Sequence, residues 1–131
     1  MDDHSGSGIL MVGCGGLGKC LLELNVLCNY IPKMYRGKNM RNITIIEPLP
    51  LGSYIFYKHY NIRHVKIALN KNNVNILHKL IPGCVIVLDV SIGVNALEII
   101  KVCNSYGVMY VNTSLENWEI DYPQSSKKET R

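Results

Sequence analysis

The feature that most constrains the fold is a glycine-rich turn at residues 13–18, which separates two different hydrophobic patterns. Residues 9–12 are continuously apolar, as is typical of a strand that is buried on both faces of a parallel sheet. Apolar side chains recur at helical spacing after the turn, which predicts a helix from about residue 16 to residue 29. The apolar positions that define the inner face of this helix are Leu17, Leu21, Leu24 and Cys28.

The glycines of this turn allow two interpretations. Gly13, Gly15 and Gly18 fit G-x-G-x-x-G, which is typical of a strand–turn–helix unit that binds a dinucleotide. Residues 13–19 also fit G-x-x-x-x-G-K, but Cys20 stands where a Walker loop needs a Ser or Thr hydroxyl to ligate Mg²⁺. The dinucleotide interpretation is therefore favoured, while a P-loop nucleotide binder and a ligand-free remnant remain open.

The rest of the chain alternates between strand and helix patterns. Further strands are predicted at residues 43–46, 64–69, 84–88 and 108–111, with helices at about 70–81 and 94–105. The inward-facing residues of these two helices are predicted to be Val74, Leu77, Leu80 and Ile81, and then Leu97, Ile100 and Cys103. This alternation predicts an α/β fold, a Rossmann-like doubly wound parallel sheet of about five strands in the order 3-2-1-4-5.

Three parts are predicted along the chain: a flexible N-terminus at residues 1–7, the Rossmann-like domain at residues 8–112, and a polar C-terminal extension at residues 113–131. Within the domain, residues 33–42 are basic and polar and are predicted to form a surface loop. The ligand crevice is expected above the carboxyl ends of the first and fourth strands, where the strand order reverses.

An acidic residue at the end of the second strand supports a dinucleotide site. Glu47 lies 29 residues after Gly18, longer than the usual ~20, and the basic loop accounts for the difference. Its carboxylate can accept hydrogen bonds from ribose hydroxyls and would repel a 2′-phosphate, which favours NAD over NADP. Ser91 and Thr113 follow later strands, where they either touch the ribose or nicotinamide or cap the next segment. The predicted cofactor contacts are Gly13, Gly15, Gly16, Leu17, Gly18, Glu47, Pro48, Asp89, Val90, Ser91 and Thr113.

The composition argues against several other classes of protein. A net charge of +4 over 131 residues is too mild to predict nucleic-acid binding. The apolar runs are too short for a membrane span, and the acidic N-terminus does not look like a secretory signal. Five cysteines without C-x-x-C spacing, and histidines without ligand spacing, predict free thiols, no metal site and a cytoplasmic protein.

The sequence resembles homospermidine synthase, within the wider saccharopine-dehydrogenase-like group, from about residue 8 to residue 118. The matching blocks are residues 8–18, 43–48, 65–73, 88–97 and 107–118. The last block lies outside the general dinucleotide pattern. It carries Glu116 and Trp118 around Asn117, where the family typically has Glu-Pro-Trp.

The resemblance implies polyamine synthesis by NAD-dependent chemistry. In this family a hydride passes from putrescine to NAD, the resulting imine loses ammonia, an aminobutyl group is transferred to a second amine, and the hydride returns. Glu116 is then expected beside the path of the cationic amine and Trp118 near the substrate entrance, where an indole face can hold a cation. The plainer interpretation is that Trp118 covers the sheet and Glu116 is a solvated acid.

The resemblance also bears on what this chain can do alone. Family members continue into a large second domain that supplies most of the substrate pocket, and residues 119–131 are too few and too polar to replace it. We therefore expect an NAD-binding module that is inactive by itself and that takes putrescine only with a second domain. The alternatives are a stand-alone NAD(H)-binding domain, a decayed domain, or a homodimer formed through an exposed sheet edge.

Overall fold

In the computed structural model, which describes residues 7–24, 26–52, 59–113 and 118, strands and helices alternate along the chain. The strands are β1 (Ser7–Val12), β2 (Met34–Tyr35), β3 (Lys38–Ile46), β4 (Asn61–Val65), β5 (Ile86–Asp89) and β6 (Met109–Asn112). The helices are α1 (Gly16–Glu23), α2 (Val26–Tyr30), α3 (Leu77–Leu80), which continues a 3₁₀ turn at Val74–Ile76, and α4 (Ala96–Tyr106). No helix among these residues is long and apolar enough to cross a bilayer.

The five long strands form a parallel sheet with β1 at its centre. β1 pairs with β3 on one side and with β5 on the other, while β4 lies outside β3 and β6 lies outside β5. The predicted fold and the predicted order 3-2-1-4-5 are therefore confirmed. The residues that pair across the carboxyl end of the sheet are, in order, Val65, Ile46, Val12, Asp89 and Asn112. This row fixes the edge at which a crevice can form.

Both faces of the central strand are buried, which explains its unbroken apolar sequence. Ile9 and Met11 pack on one face in a cluster that contains Leu22 of α1 and Leu27 of α2. Leu10 and Val12 point to the opposite face, in a cluster that contains residues of α3 and α4. Helices thus cover both sides of β1, as in a doubly wound sheet.

Residues 33–42 do not form the predicted surface loop. They contain β2 and the start of β3, which pair antiparallel as a short hairpin. Its turn residues, Arg36 and Gly37, both have positive φ, at 52° and 76°, which is the conformation of a tight hairpin turn. Arg41 then donates from its guanidinium to the carbonyls of Cys28 (3.1 Å) and Ile31 (3.0 Å), which ties the hairpin to the end of α2.

The single helix predicted over residues 16–29 is divided into α1 and α2, and its predicted inner face is wrong. Leu17 and Leu24 are exposed, whereas Gly18 and Leu22 are buried. A count of apolar side chains overlooks Gly18, because the position that approaches the sheet most closely carries no side chain at all.

The last helix is also rotated relative to its prediction. The Asn95 side chain accepts a hydrogen bond from the Leu97 N–H at 2.9 Å and caps the helix one residue before Ala96. Leu97 is consequently 57% exposed, while Ile99 is fully buried. The predicted end at Gly107 is confirmed, since this residue takes the left-handed conformation with φ 66°. The third strand is shifted as well, because β4 covers residues 61–65 instead of 64–69.

Two alanine substitutions on α4 test which of its faces is buried. Ile99→Ala is expected to lower the free energy of unfolding by about 2–5 kcal/mol, because it leaves a cavity in the core. Leu97→Ala is the matched control and is expected to change it by less than about 0.5 kcal/mol. Urea denaturation followed by circular dichroism measures both values, and a larger loss for Leu97→Ala would contradict the observed orientation of the helix.

Candidate functional site: a cleft at the carboxyl edge of the sheet

A cleft of about 340 Å³ opens at the carboxyl edge of the sheet, where the predicted crevice lies. Its walls come from the ends of β1 and β3, from the glycine turn and from the segments that follow β4 and β5. The lining residues are Val12, Gly13, Gly15, Ile46, Glu47, Pro48, Ile67, Ala68, Leu69, Val90, Ser91, Ile92, Gly93 and Val94. Most of this lining is apolar, and among the described residues its one charged side chain is acidic, so the cleft suits a ligand with a hydrophobic ring and hydroxyl groups.

The three glycines of the turn have three different surroundings. Gly13 has φ +83°, and a Cβ placed on it would lie 2.8 Å from the Cα of Ser91. Gly18 faces the sheet, where a Cβ would lie 3.3 Å from side-chain atoms of Met11, Cys14 and Val90. Only open space surrounds the corresponding position at Gly15, which borders the cleft. Close packing therefore leaves little room for a side chain at Gly13 and Gly18, whereas Gly15 leaves room for a ligand to reach the backbone.

The start of α1 provides an electrostatically suitable place for a phosphate. Gly15 caps this helix without any side-chain hydrogen bond, and the first turn contains no acidic residue. The first backbone N–H groups of a helix lack partners within the helix and carry partial positive charge. Gly16 and Leu17 belong to this first turn and are exposed, although they do not line the cleft itself.

The Glu47 carboxylate is held at the cleft by two backbone groups. Its Oε1 accepts a hydrogen bond from the N–H of Cys14 at 2.9 Å, and its Oε2 accepts one from the N–H of Leu49 at 3.0 Å. The Glu47 carbonyl oxygen lies 2.7 Å from Nε2 of His64 on β4. Each carboxylate oxygen keeps a further lone pair, so this side chain can both fix the glycine turn and accept from a ligand hydroxyl.

Asp89 is the last residue of β5, level with Ile46, and its side chain is turned into the protein. It is 4% exposed, and its Oδ1 accepts from the Ser91 N–H at 3.1 Å and from the Ser91 hydroxyl at 2.5 Å. Its Oδ2 accepts from the hydroxyl of Tyr110 at 2.5 Å. Burial, together with the hydrogen bond to Asp89, raises the pKa of Tyr110 well above its ordinary value. Asp89 therefore organises the segment after β5 and does not line the cleft.

The other predicted site residues fall into separate environments. Pro48, Val90 and Ser91 line the cleft, whereas Thr113 is exposed beyond the end of β6. Trp118 is 6% exposed and packs in the core cluster on the α3 and α4 side of the sheet. Glu116 lies outside the described residues.

The sequence did not predict two of the segments that line the cleft, nor the role of Tyr110 as the hydrogen-bond partner of Asp89. Residues 67–69 lie within a predicted strand that ends at Val65 in the structure. Residues 92–94 overlap the start of a predicted helix that begins at Ala96 in the structure. The signal that could have identified them is topological, because segments after parallel strands meet at one edge of the sheet. Tyr110 gave no such signal, since an aromatic residue is ordinary in a strand.

The described residues include cysteines and other side chains of the kinds that can bind a metal ion. The five cysteines are free, and burial together with the nearby Glu47 charge raises the pKa of Cys14 to about 11. This thiol stays protonated and poorly reactive at neutral pH. Cys20 is exposed on α1, and no group of three or more metal-ligating side chains is present in the described ranges.

Alanine substitutions at Gly13 and Gly15 are expected to separate the structural glycine from the one that borders the ligand space. Gly13→Ala should lower the free energy of unfolding by at least about 1–2 kcal/mol, because Ala is strained at positive φ and would clash with Ser91. Gly15→Ala should cost less than about 1 kcal/mol, as expected for a cap position with ordinary φ. Urea denaturation measures both, and equal losses would refute this division of roles.

Comparison with known proteins identifies related sequences and folds. The family described as saccharopine dehydrogenase NADP binding domain matches residues 9–131. A crystal structure of the homospermidine synthase hss from Legionella pneumophila in complex with NAD is similar with a TM-score of 0.68 and 23% sequence identity. The similarity covers 95% of this chain and 26% of that one, so this chain spans about a quarter of the length of that protein. At this identity the likeness shows a shared fold. No curated protein matches the sequence.

Proposed function

Because the chain belongs to the family described as saccharopine dehydrogenase NADP binding domain, we propose that its cleft binds the dinucleotide NAD(H). The observation that carries this proposal is that the open space beside Gly15 and the anchored Glu47 carboxylate share one cleft. The first is suited to a pyrophosphate and the second to a ribose, which are the two polar parts of the ligand. The Legionella homospermidine synthase, whose fold is similar, was crystallised with NAD.

The pyrophosphate is assigned to the start of α1. Gly15 allows close approach to the backbone, and the unpaired N–H groups of the first helical turn can donate to phosphate oxygens. We place the adenosine on the Glu47 side of the cleft. The carboxylate there accepts from ribose hydroxyls, while the apolar segment Ile67–Leu69 supplies a surface for the adenine ring.

The charge of the cleft favours NAD over NADP, although the family description names NADP. Glu47 is fixed by Cys14 and Leu49, so it cannot easily swing away from a 2′-phosphate. No lysine or arginine is found among the described residues that line the cleft. A 2′-phosphate would therefore meet a fixed negative charge without a compensating cation.

A titration with both cofactors tests this function. Wild-type protein is expected to bind NAD⁺ more tightly than NADP⁺ by at least about tenfold, which corresponds to ~1.4 kcal/mol. Glu47→Gln should narrow this preference, because the amide keeps an acceptor oxygen but removes the charge. Glu23→Gln removes an exposed acid on α1 and is the matched control, for which no change in preference is expected. Isothermal titration calorimetry measures the affinities.

Two results of this titration would contradict the proposal in different ways. An absence of binding at millimolar NAD⁺ would reject a cofactor site and leave a decayed domain. Tighter binding of NADP⁺ by the wild-type protein would reject the role of Glu47 while retaining a dinucleotide site.

We further propose that residues 8–112 serve as the cofactor module of a homospermidine-synthase-like enzyme. Bound NAD⁺ would supply the hydride acceptor for oxidation of putrescine and, once reduced, the hydride donor for the product imine. The support for this finer function is the resemblance over residues 8–118 together with the similar fold of a homospermidine synthase. A stand-alone NAD(H)-binding domain is the second candidate, because the groups that suit a dinucleotide all lie within this one sheet and its loops.

The described cleft holds the groups for cofactor binding but lacks a developed amine site. Glu47 is its one charged residue, and we assign this carboxylate to the ribose, so the described lining holds no second acid for a cationic amine. Trp118 is buried in the core, so its ring faces are covered by protein. We therefore propose that these residues bind the cofactor and that a further domain supplies the diamine pocket.

Incubation with NAD⁺ and putrescine is expected to yield no homospermidine from this chain alone. The reason is that we assign the diamine pocket to a further domain, so the result should hold even at saturating NAD⁺. Mass spectrometry of the reaction mixture provides the measurement, with a full-length homospermidine synthase as the positive control. Formation of homospermidine at a rate proportional to protein concentration would overturn the proposed dependence on a second domain.

A further inference from the structure

We propose that Asp89 and Tyr110 are positioning residues that hold the Ser91 hydroxyl as a pure hydrogen-bond acceptor toward the cleft. Ser91 lines the cleft, whereas Asp89 is buried behind it and Tyr110 lies on the neighbouring strand β6. The identity of the ligand rests on the proposed dinucleotide function. The positioning itself is a property of the unliganded protein.

The single hydrogen of the Ser91 hydroxyl is already used within the protein. A serine side chain has one O–H donor and two acceptor lone pairs. Its hydrogen is donated to Asp89 Oδ1, and the Ser91 backbone N–H is donated to the same oxygen. Only lone pairs of the hydroxyl oxygen are left for a ligand. Ser91 can therefore accept from a ribose hydroxyl or an amide N–H but cannot donate to a phosphate oxygen.

Tyr110 fixes the carboxylate that controls this serine. Its hydroxyl donates to Asp89 Oδ2, while the Nδ2 of Asn112 donates to the tyrosine oxygen at 2.8 Å. The amide occupies an acceptor site on the tyrosine oxygen, which leaves the tyrosine hydrogen for Asp89. Because Asp89 is almost fully buried, water cannot readily replace this partner. The chain of hydrogen bonds thus runs from β6 through β5 to the wall of the cleft.

The hydrogen bonds of Asp89 also hold the backbone of Ser91, which forms one wall of the cleft. Ser91 lies so close to the glycine turn that a Cβ on Gly13 would be 2.8 Å from its Cα. A small movement of Ser91 would therefore change both the width of the cleft and the direction of the hydroxyl oxygen. This geometry assigns the region beside Ser91 to a ribose hydroxyl or carboxamide of the dinucleotide and leaves the phosphates to the region beside Gly15.

A double-mutant cycle tests whether Tyr110 acts through Ser91. Tyr110→Phe and Ser91→Ala are each expected to weaken NAD⁺ binding by about three- to tenfold, the scale of one lost hydrogen bond. Adding Tyr110→Phe to Ser91→Ala should weaken it by less than about twofold, because groups in one network do not act additively. Tyr30→Phe, at an 82% exposed tyrosine, is the matched control. Fully additive losses would show a general structural effect and overturn the proposal.

Hydrogen exchange of the unliganded protein gives a second readout that does not depend on cofactor binding. Tyr110→Phe should accelerate amide exchange at residues 90–95, and Tyr30→Phe should not. If this acceleration occurs and the wild-type protein fails to bind NAD⁺, the positioning is supported and the proposed cofactor is rejected. Unchanged exchange at residues 90–95 would overturn the positioning, whatever the cofactor affinity.

Discussion

The structure depends on close packing at two glycines, Gly13 and Gly18, of the turn that lies between the ends of β1, β3 and β5. Gly13 meets Ser91 on one side, Gly18 meets the β1 and β5 segments beneath it, and Glu47 holds the turn from β3 through the Cys14 N–H. These contacts determine where α1 starts and therefore where its unpaired N–H groups point. The cleft is a consequence of this packing, since the three strand ends can surround a ligand only if the turn between them stays thin.

The strands of the sheet could be predicted from the sequence, because a strand that is buried on both faces appears as a continuous run of apolar residues. β1 and residues 43–46 of β3 are buried on both faces, so their apolar runs and the glycine pattern led directly to the strand order. Helix orientation was predicted poorly, because a glycine (Gly18) and a cap (Asn95) decide it, and neither contributes to a hydrophobic pattern. In the site, Glu47 and Ser91 follow strands and could be identified. Tyr110 could not, since its role depends on pairing between β5 and β6.

Two carboxylates at the ends of β3 and β5, on either side of the central strand, show how surroundings determine what an acid does. Glu47 and Asp89 both follow apolar strands, and from sequence both were expected to contact the cofactor. Glu47 accepts from two backbone N–H groups and remains at the cleft. The shorter side chain of Asp89 is surrounded by donors from Ser91 and Tyr110 and is withdrawn from the solvent. The register separates them as well: Asp89 lies level with Ile46, and Glu47 lies one residue further along its own strand. Position and nearby donors together leave one acid at the cleft and bury the other.

The hairpin of β2 and β3 shows why the acidic residue that follows the second parallel strand cannot be found from its sequence distance to the glycine turn. It adds length between Gly18 and Glu47 at the far end of β3, yet the pairing of Val12 with Ile46 leaves Glu47 beside the glycine turn. Insertions at that distant end lengthen the chain without moving the carboxylate. A search that requires a fixed number of residues between glycine and acid would reject this sequence. One that takes the residue following the register partner of the last β1 position finds Glu47 at once.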